Sequence, residues 1–229
     1  MALNNILVID IGGTHIKLQA TTHKEPVIIP SGPKMTAKKM VAAVKKNTAD
    51  WSIDAISIGY PGPVVHHRII SEPYNMGRGW VGFNFAKAFG CPVKIINDAA
   101  MQALADYQGK RMLFLGLGTG LGSAMIIDGV MEPMELAHLP YKNGKSYEDY
   151  VGLSGLRKLG KKKWRQEVTD IVKKFKAALQ VDYVVVGGGN SRLLKKLPKG
   201  AQLGRNLDVF QGGYRLWKKN YKNEERGSI

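Results

Sequence analysis

A single cysteine, Cys91, is all that the 229 residues carry. That excludes an intrachain disulfide and any cysteine-rich zinc site, and it fits a reducing cytoplasm. The plain role for such a residue is that of a small buried hydrophobe. Acidic residues are also scarce: 18 Asp and Glu stand against 34 Lys and Arg, a formal net charge of +16. The surplus implies attraction to a polyanion, and nucleic acid, a phosphate polymer or an acidic membrane surface would each satisfy it. Because the lysines fall mostly on predicted helices, solvated helix faces account for it equally well. No apolar run approaches the roughly 18 residues of a membrane span, and no basic region followed by a long apolar core opens the chain. A soluble, unexported, cytoplasmic protein is therefore expected.

What is present is an α/β pattern. The hydrophobic share of 44% and the 27 glycines suit a globular protein with many tight turns, long enough for one large domain or two lobes. The chain opens with an apolar run from Asn5 to Ile11, turns at Gly12, Gly13 and Thr14, and alternates from His15 to Ala20. This reads as a β-hairpin whose glycines admit a close ligand, so the turn is either an ordinary connection or a phosphate cradle. Asp10, just before the turn, could reach a magnesium ion through water. Strands are expected at 27–29 and 55–59, with a helix between them that starts after Thr36 and buries Ala37, Met40, Val41 and Val44.

The loop from Pro73 to Trp80 combines Asn75, Arg78 and the aromatics Tyr74 and Trp80, a mixture suited to a sugar. A short helix from about Asn84 to Phe89 then leads into Val93–Asp98, a buried strand ending in an amide and a carboxylate. Ligands of open α/β sheets bind at such carboxyl ends, which makes Asp98 a candidate for chemistry. Asp98 is equally well suited to cap the helix that follows, whose stripe is Met101, Leu104 and Ala105 and whose stop is Gly109.

The opening pattern then returns. Residues 112–117 form an apolar strand, Gly118, Thr119 and Gly120 open a turn, and residues 123–128 form a second strand. The chain thus contains two related halves, each with a glycine turn. Neither turn has the dinucleotide fingerprint, and Gly155–Lys162 fails as a P-loop because Lys162 stands where Ser or Thr is needed. Glu135 and His138 lie beyond the second hairpin. They make a weak metal pair but good hydroxyl partners for a polar ligand, and Glu148, in a helical segment from Ser146 to Leu159, could join them or merely sit on a solvated face. A long helix from about Lys161 to Leu179 has Trp164, Val168, Ile171, Val172, Phe175 and Leu179 on one side and carries a basic ridge on the other. A strand at 181–186 ends in Gly187, Gly188 and Gly189, which would admit a flat ligand such as a nucleoside or simply form a tight turn. A final helix from about 206 to 221 and a fraying charged tail close the chain.

Together these motifs resemble a known family. LVIDIGGTHIK and FLGLGTGLGSA look like the two phosphate motifs of sugar kinases with the actin-like ATPase fold. IIND, NMGRGW, ELAH and VVVGGGN, in that order, match the branch that groups repressors, open reading frames and kinases (ROK). The resemblance covers about residues 5 to 217, and its closest likeness is to polyphosphate glucokinases. It implies a two-lobed, ribonuclease H-like α/β fold with an interlobe cleft: a first lobe of residues 1–97, a second of 98–205, and a C-terminal helix of about 206–222 packed back on the first. The zinc site of the wider branch has no counterpart, because Asn143–Asp149 stands in its place without cysteine. The helix-turn-helix of repressor members has no counterpart either, which argues against DNA-directed repression.

The implied activity is transfer of a phosphoryl group from inorganic polyphosphate or ATP, with Mg2+, to the 6-hydroxyl of glucose or a related hexose. Asp98 would be the base, while Asn75, Asn97, Glu135, His138 and Glu148 would bind the other hydroxyls. Asp10, Gly12, Gly13, Thr14, Lys17, Gly118, Thr119, Gly120, Gly187, Gly188 and Gly189 would hold the donor, and a homodimer would fit the family. The rival reading is a regulatory or nucleic-acid-binding protein that keeps the fold and uses its lysines on a phosphate backbone. Against it, aromatics are not interleaved with the basic residues.

Overall fold

The computed structural model describes residues 4–204 and 209–218. The chain divides into two compact units: one runs to Met101 and resumes at Asp208, the other is Gln102–Leu207. In the first unit, β1 (Ile6–Ile11), β2 (His15–Ala20) and β3 (His23–Pro30) form an antiparallel meander. After α1 (Ala37–Asn47), β4 (Ala55–Tyr60) joins β1 in parallel. The two-residue strands β5 (Val64–Val65) and β6 (Arg68–Ile69) make a small hairpin, and α2 (Phe85–Phe89) precedes β7 (Val93–Asn97), which extends the parallel side. The sheet order is β3-β2-β1-β4-β7. The division into units falls within α3 (Asp98–Asp106).

The second unit repeats the plan. β8 (Arg111–Leu117), β9 (Leu121–Ile127) and β10 (Val130–Met134) form the meander. Two helices, α4 (Tyr147–Val151) and α5 (Leu153–Ala178), lead to β11 (Tyr183–Gly187) and β12 (Ala201–Leu203), which run parallel to β8. The order β10-β9-β8-β11-β12 matches the first sheet strand for strand. The repeat expected from the two glycine hairpins is thus present at the level of whole sheets.

Local chemistry explains the elements. The Thr36 side chain accepts from Lys39 N at 3.3 Å to cap α1, and Ala37, Met40, Val41 and Val44 form the buried face. β1 is apolar on both faces because both are covered. α1 belongs to the core on one side, and α6 (Val209–Arg215) packs on the other, where a side chain at Gly213 would strike Val8. Fully buried Ser57 ties that contact, donating to Gly213 O at 2.7 Å and accepting from Trp217 Nε1 at 2.9 Å. In the second unit, Trp164, Val168, Ile171, Val172 and Phe175 of α5 bury against β8 and β11.

Several expectations needed correction. The helix expected from Ser146 to Leu159 breaks at Gly152, and α5 continues to Ala178 through a kink at Gly160, whose φ of 71° is not helical. β5, β6, β10 and β12 went unpredicted, being short or, in β10, interrupted by Pro133. Gly155, weighed as part of a P-loop, lies inside α5 and has backbone of α4 where a side chain would go. Residues 206–208 and 219–221 of the expected last helix, and the tail beyond, lie outside the described residues. No helix among the described residues is long and apolar enough to cross a membrane.

Candidate active site

Three strand ends of the first sheet carry polar groups side by side. The registers pair Asp10 with Gly59 and Tyr60 with Asn97, so the carboxyl ends of β1, β4 and β7 are level. Adjacent strands lie about 4.8 Å apart, which sets β1 and β7 on the order of 10 Å from each other. The Asp10 side chain is only 16% exposed, and its Oδ2 lies 3.8 Å from Lys17 Nζ on the paired strand. Between β1 and β2, Gly12 N donates to His15 O at 2.9 Å and Thr14 O accepts from Ser31 N at 2.8 Å, leaving Gly13 and Thr14 exposed.

At the end of β7 the two polar residues divide the work. Asn97 Oδ1 accepts from Ala99 N at 2.9 Å and Ala100 N at 3.2 Å, while its Nδ2 donates to Gly62 O at 3.1 Å. Asn97 is therefore the residue that caps α3, and Asp98 is the first residue of the helix itself. Asp98 Oδ1 accepts from Ala99 N at 2.8 Å, and a carboxylate in that first turn gains from the positive end of the helix dipole. The cap expected of Asp98 thus falls mainly to Asn97, with Asp98 sharing the Ala99 N–H. Asn97, expected to face a sugar hydroxyl, has both ends of its amide engaged by the backbone.

The loop after β6 is pinned by a residue that went unnoticed in the sequence. The Glu72 carboxylate accepts from Gly79 N, Trp80 N and Val81 N at 3.1 to 3.4 Å. Trp80, expected to offer its ring to a sugar, is fully buried against Tyr60 and Phe85, with Nε1 donating to Gly77 O at 2.7 Å. The aromatic left outside is Tyr74, 98% exposed, next to Asn75. Asn75 is exposed and abuts the first glycine turn, its Cβ 3.7 Å from where a side chain on Gly13 would begin.

In the second unit, Gly118 N donates to Gly120 O at 3.1 Å across the turn, and three neighbours hold that turn from outside. Asn190 Nδ2 donates to Gly118 O at 2.9 Å, Leu153 N donates to Thr119 O at 3.0 Å, and Leu121 N donates to Glu148 Oε2 at 2.9 Å. Asn190 belongs to the third glycine turn, so the two turns of this unit are joined. Packing explains two of that turn's glycines: a side chain on Gly187 would meet the Phe114 ring at 2.7 Å, and one on Gly188, at φ 80°, would meet the Leu117 backbone. Gly189 faces open space.

Glu135 precedes and His138 ends a single 3-10 turn, Leu136–His138, seated by Leu136 N donating to Ser123 Oγ at 3.2 Å. Partial burial pushes the Glu135 carboxyl above its ordinary range; His138 pulls it back and Glu148 adds to the rise. Among the described residues no cluster of three or more His, Cys, Asp or Glu side chains is arranged to hold a metal.

Beside Thr119 lies a depression of about 540 Å³ lined by Leu153, Ser154, Arg157 and Lys158. Lys145 stands close enough to hold the Lys158 ammonium below the ordinary lysine range. Such crowding of like charge leaves a site that an anion would relieve.

Two sheets of one topology, each with a glycine-turn hairpin that includes its central strand, define the actin-like ATPase fold. The chain belongs to the ROK family, whose model matches residues 6–132. It is 31% identical over 182 residues to the polyphosphate glucokinase of Mycobacterium tuberculosis (strain CDC 1551 / Oshkosh), covering 73% of this chain and 67% of that protein. The polyphosphate glucokinase of Mycobacterium leprae (strain TN) is 30% identical over 209 residues, with 80% of this chain and 63% of that protein covered. The chain thus spans about two thirds of these relatives' length. Among solved structures, the inorganic polyphosphate/ATP-glucomannokinase from Arthrobacter sp. strain KM superposes with a TM-score of 0.74 at 24% identity, over 91% of this chain and 94% of that one.

Proposed function

We propose that the protein is a hexose kinase that transfers a phosphoryl group from inorganic polyphosphate, ATP or both to the 6-hydroxyl of glucose or a close relative. The observation that carries the reading is the pair at the end of β7, where Asn97 caps α3 and Asp98 stands as the first helical residue, level with Asp10 and the first glycine turn. Membership of the ROK family and the polyphosphate glucokinase relatives support it.

Phosphoryl transfer asks mainly for alignment and for stabilisation of charge on the phosphate oxygens. In this reading Asp98 accepts the proton of the attacking hydroxyl. Asn75, Glu135, His138 and Glu148 bind the remaining hydroxyls, and Asn97 acts by fixing the start of α3. Backbone N–H groups of Gly13, Thr14, Thr119 and Gly120 face the donor phosphates, the Gly12 and Gly118 N–H groups being taken up within their own turns, with Lys17 adding charge. Gly189 has room for a ligand beside the third turn. A magnesium ion would shield the phosphate oxygens, and Asp10 suits it: a single partly buried carboxylate is what a largely water-ligated Mg2+ requires of a protein.

Polyphosphate as a donor draws support from the basic depression beside Thr119, because Arg157 and Lys158 extend positive charge outward from the second turn. The test is a parallel assay of the purified protein with glucose and its epimers against ATP and polyphosphate, with magnesium, across a salt series. Sugar 6-phosphate formation with polyphosphate, weakening steeply with salt, is expected. Transfer from ATP alone would remove polyphosphate from the reading, and no sugar phosphate with either donor would overturn it.

A further inference from the structure

We infer that Glu148 is a positioning residue that couples occupancy of the sugar site to the shape of the second glycine turn; the inference rests on the kinase reading. α4 is fixed at its start by a capping box, in which Asp149 Oδ2 accepts from Ser146 N at 2.8 Å and Ser146 Oγ accepts from Asp149 N at 3.4 Å. Its second residue, Glu148, therefore leaves the helix in a set direction and lies across the turn. The fit there is so close that a side chain on Gly120 would strike the carboxylate. Oε2 takes the Leu121 N–H at 2.9 Å. α4 and α5 press on the same turn through Gly152, where a side chain would come within 3.0 Å of Thr119 O.

The same carboxylate faces a second way. Glu148 is the acid that Glu135 senses, next to His138, so it stands at the border between the hydroxyl-binding pair and the phosphate turn. A sugar hydroxyl donating to one oxygen of this group holds the carboxylate in place while Oε2 keeps the Leu121 N–H. The amides of Thr119 and Gly120 are then held in the shape that receives phosphate. Coupling of this kind is reciprocal, so donor and sugar raise each other's affinity by one common factor.

The experiment is calorimetric titration of tripolyphosphate into the intact chain, with and without a glucose analogue lacking the 6-hydroxyl, so that no turnover intervenes. For the unmodified protein the sugar analogue should tighten tripolyphosphate binding about five-fold or more. Glu148→Ala should bind tripolyphosphate more weakly even without sugar, and the analogue should no longer tighten it. Glu148→Gln, almost the same in shape and still able to accept from Leu121 N, should keep most of the sugar-free affinity but show reduced coupling, which guards against a variant that merely misfolds. If Glu148→Ala weakens only sugar binding, or the coupling survives in it, the inference is overturned. If the unmodified protein binds neither compound, the kinase reading itself has failed, a result separate from an intact pair of sites without coupling.

Discussion

The two glycine-turn hairpins are nearly the same piece of architecture held in different ways. The first turn, Gly12–Thr14, depends on its own hairpin, on β3 through Ser31 and on the loop at Asn75. The second, Gly118–Gly120, is gripped by a carboxylate, a helix start and an amide from the third turn. Equal strand topology therefore does not bring equal support. The second turn answers to a helix and to a carboxylate beside the hydroxyl-binding pair, whereas the first answers to a loop.

The largest expected effect separates the units by chemistry. Asp98→Ala should lower turnover by about 10² to 10⁴, the usual range for a lost general base, while circular dichroism shows the fold retained because Asn97 still caps α3. Turnover near that of the unmodified protein would remove the first unit's claim to the reaction. Next comes the support of the first turn: Trp80→Ala should cost about 3 to 5 kcal/mol in denaturant unfolding, since it empties a fully buried site and strips the Gly77 carbonyl of its partner. A change under 1 kcal/mol would mean the loop is braced by Glu72 alone.

A smaller effect probes the second turn. Asn190→Ala removes one hydrogen bond to Gly118 O, worth about 1 kcal/mol, and should weaken donor binding about five-fold with the sugar KM unchanged. Equal loss in both constants would show that the third turn serves the whole unit rather than its phosphate side.

The smallest lies at acid pH, in a network of the second unit. Tyr141 Oη lies 2.7 Å from Glu167 Oε2 and 2.5 Å from Asp170 Oδ2, its one proton shared between the two carboxylates. Lys174, then Tyr141, hold the Asp170 carboxyl below its usual range; at Glu167 burial works the other way, but Lys142 and Tyr141 prevail. Folded values below the unfolded ones mean that this stabilisation is full above about pH 5 and is lost as pH falls through the folded values. Thermal melts between pH 6 and 3 should show the decline, and Tyr141→Phe should make it shallower.

How much of this was readable in advance follows from range. The hairpins, the α1 stripe and β7 rest on local periodicity and came through with small boundary shifts. Trp80 misled because an aromatic in a polar loop looks the same in sequence whether its ring turns inward or outward. Tyr74 beside it turned outward. Glu72, Asn190 and Ser123 were missed because their partners are backbone groups supplied by the fold, and residue type carries no trace of that. Gly187 and Gly188 invited a ligand in the sequence, yet they answer to Phe114 and Leu117, far away along the chain.

The split between Asn97 and Asp98 has a consequence for descent. Where one residue both starts a helix and performs chemistry, losing the chemistry unfolds the start, and selection keeps the two together. On the kinase reading, Asp98 could be lost in a single step while Asn97 still caps α3 and the scaffold stands.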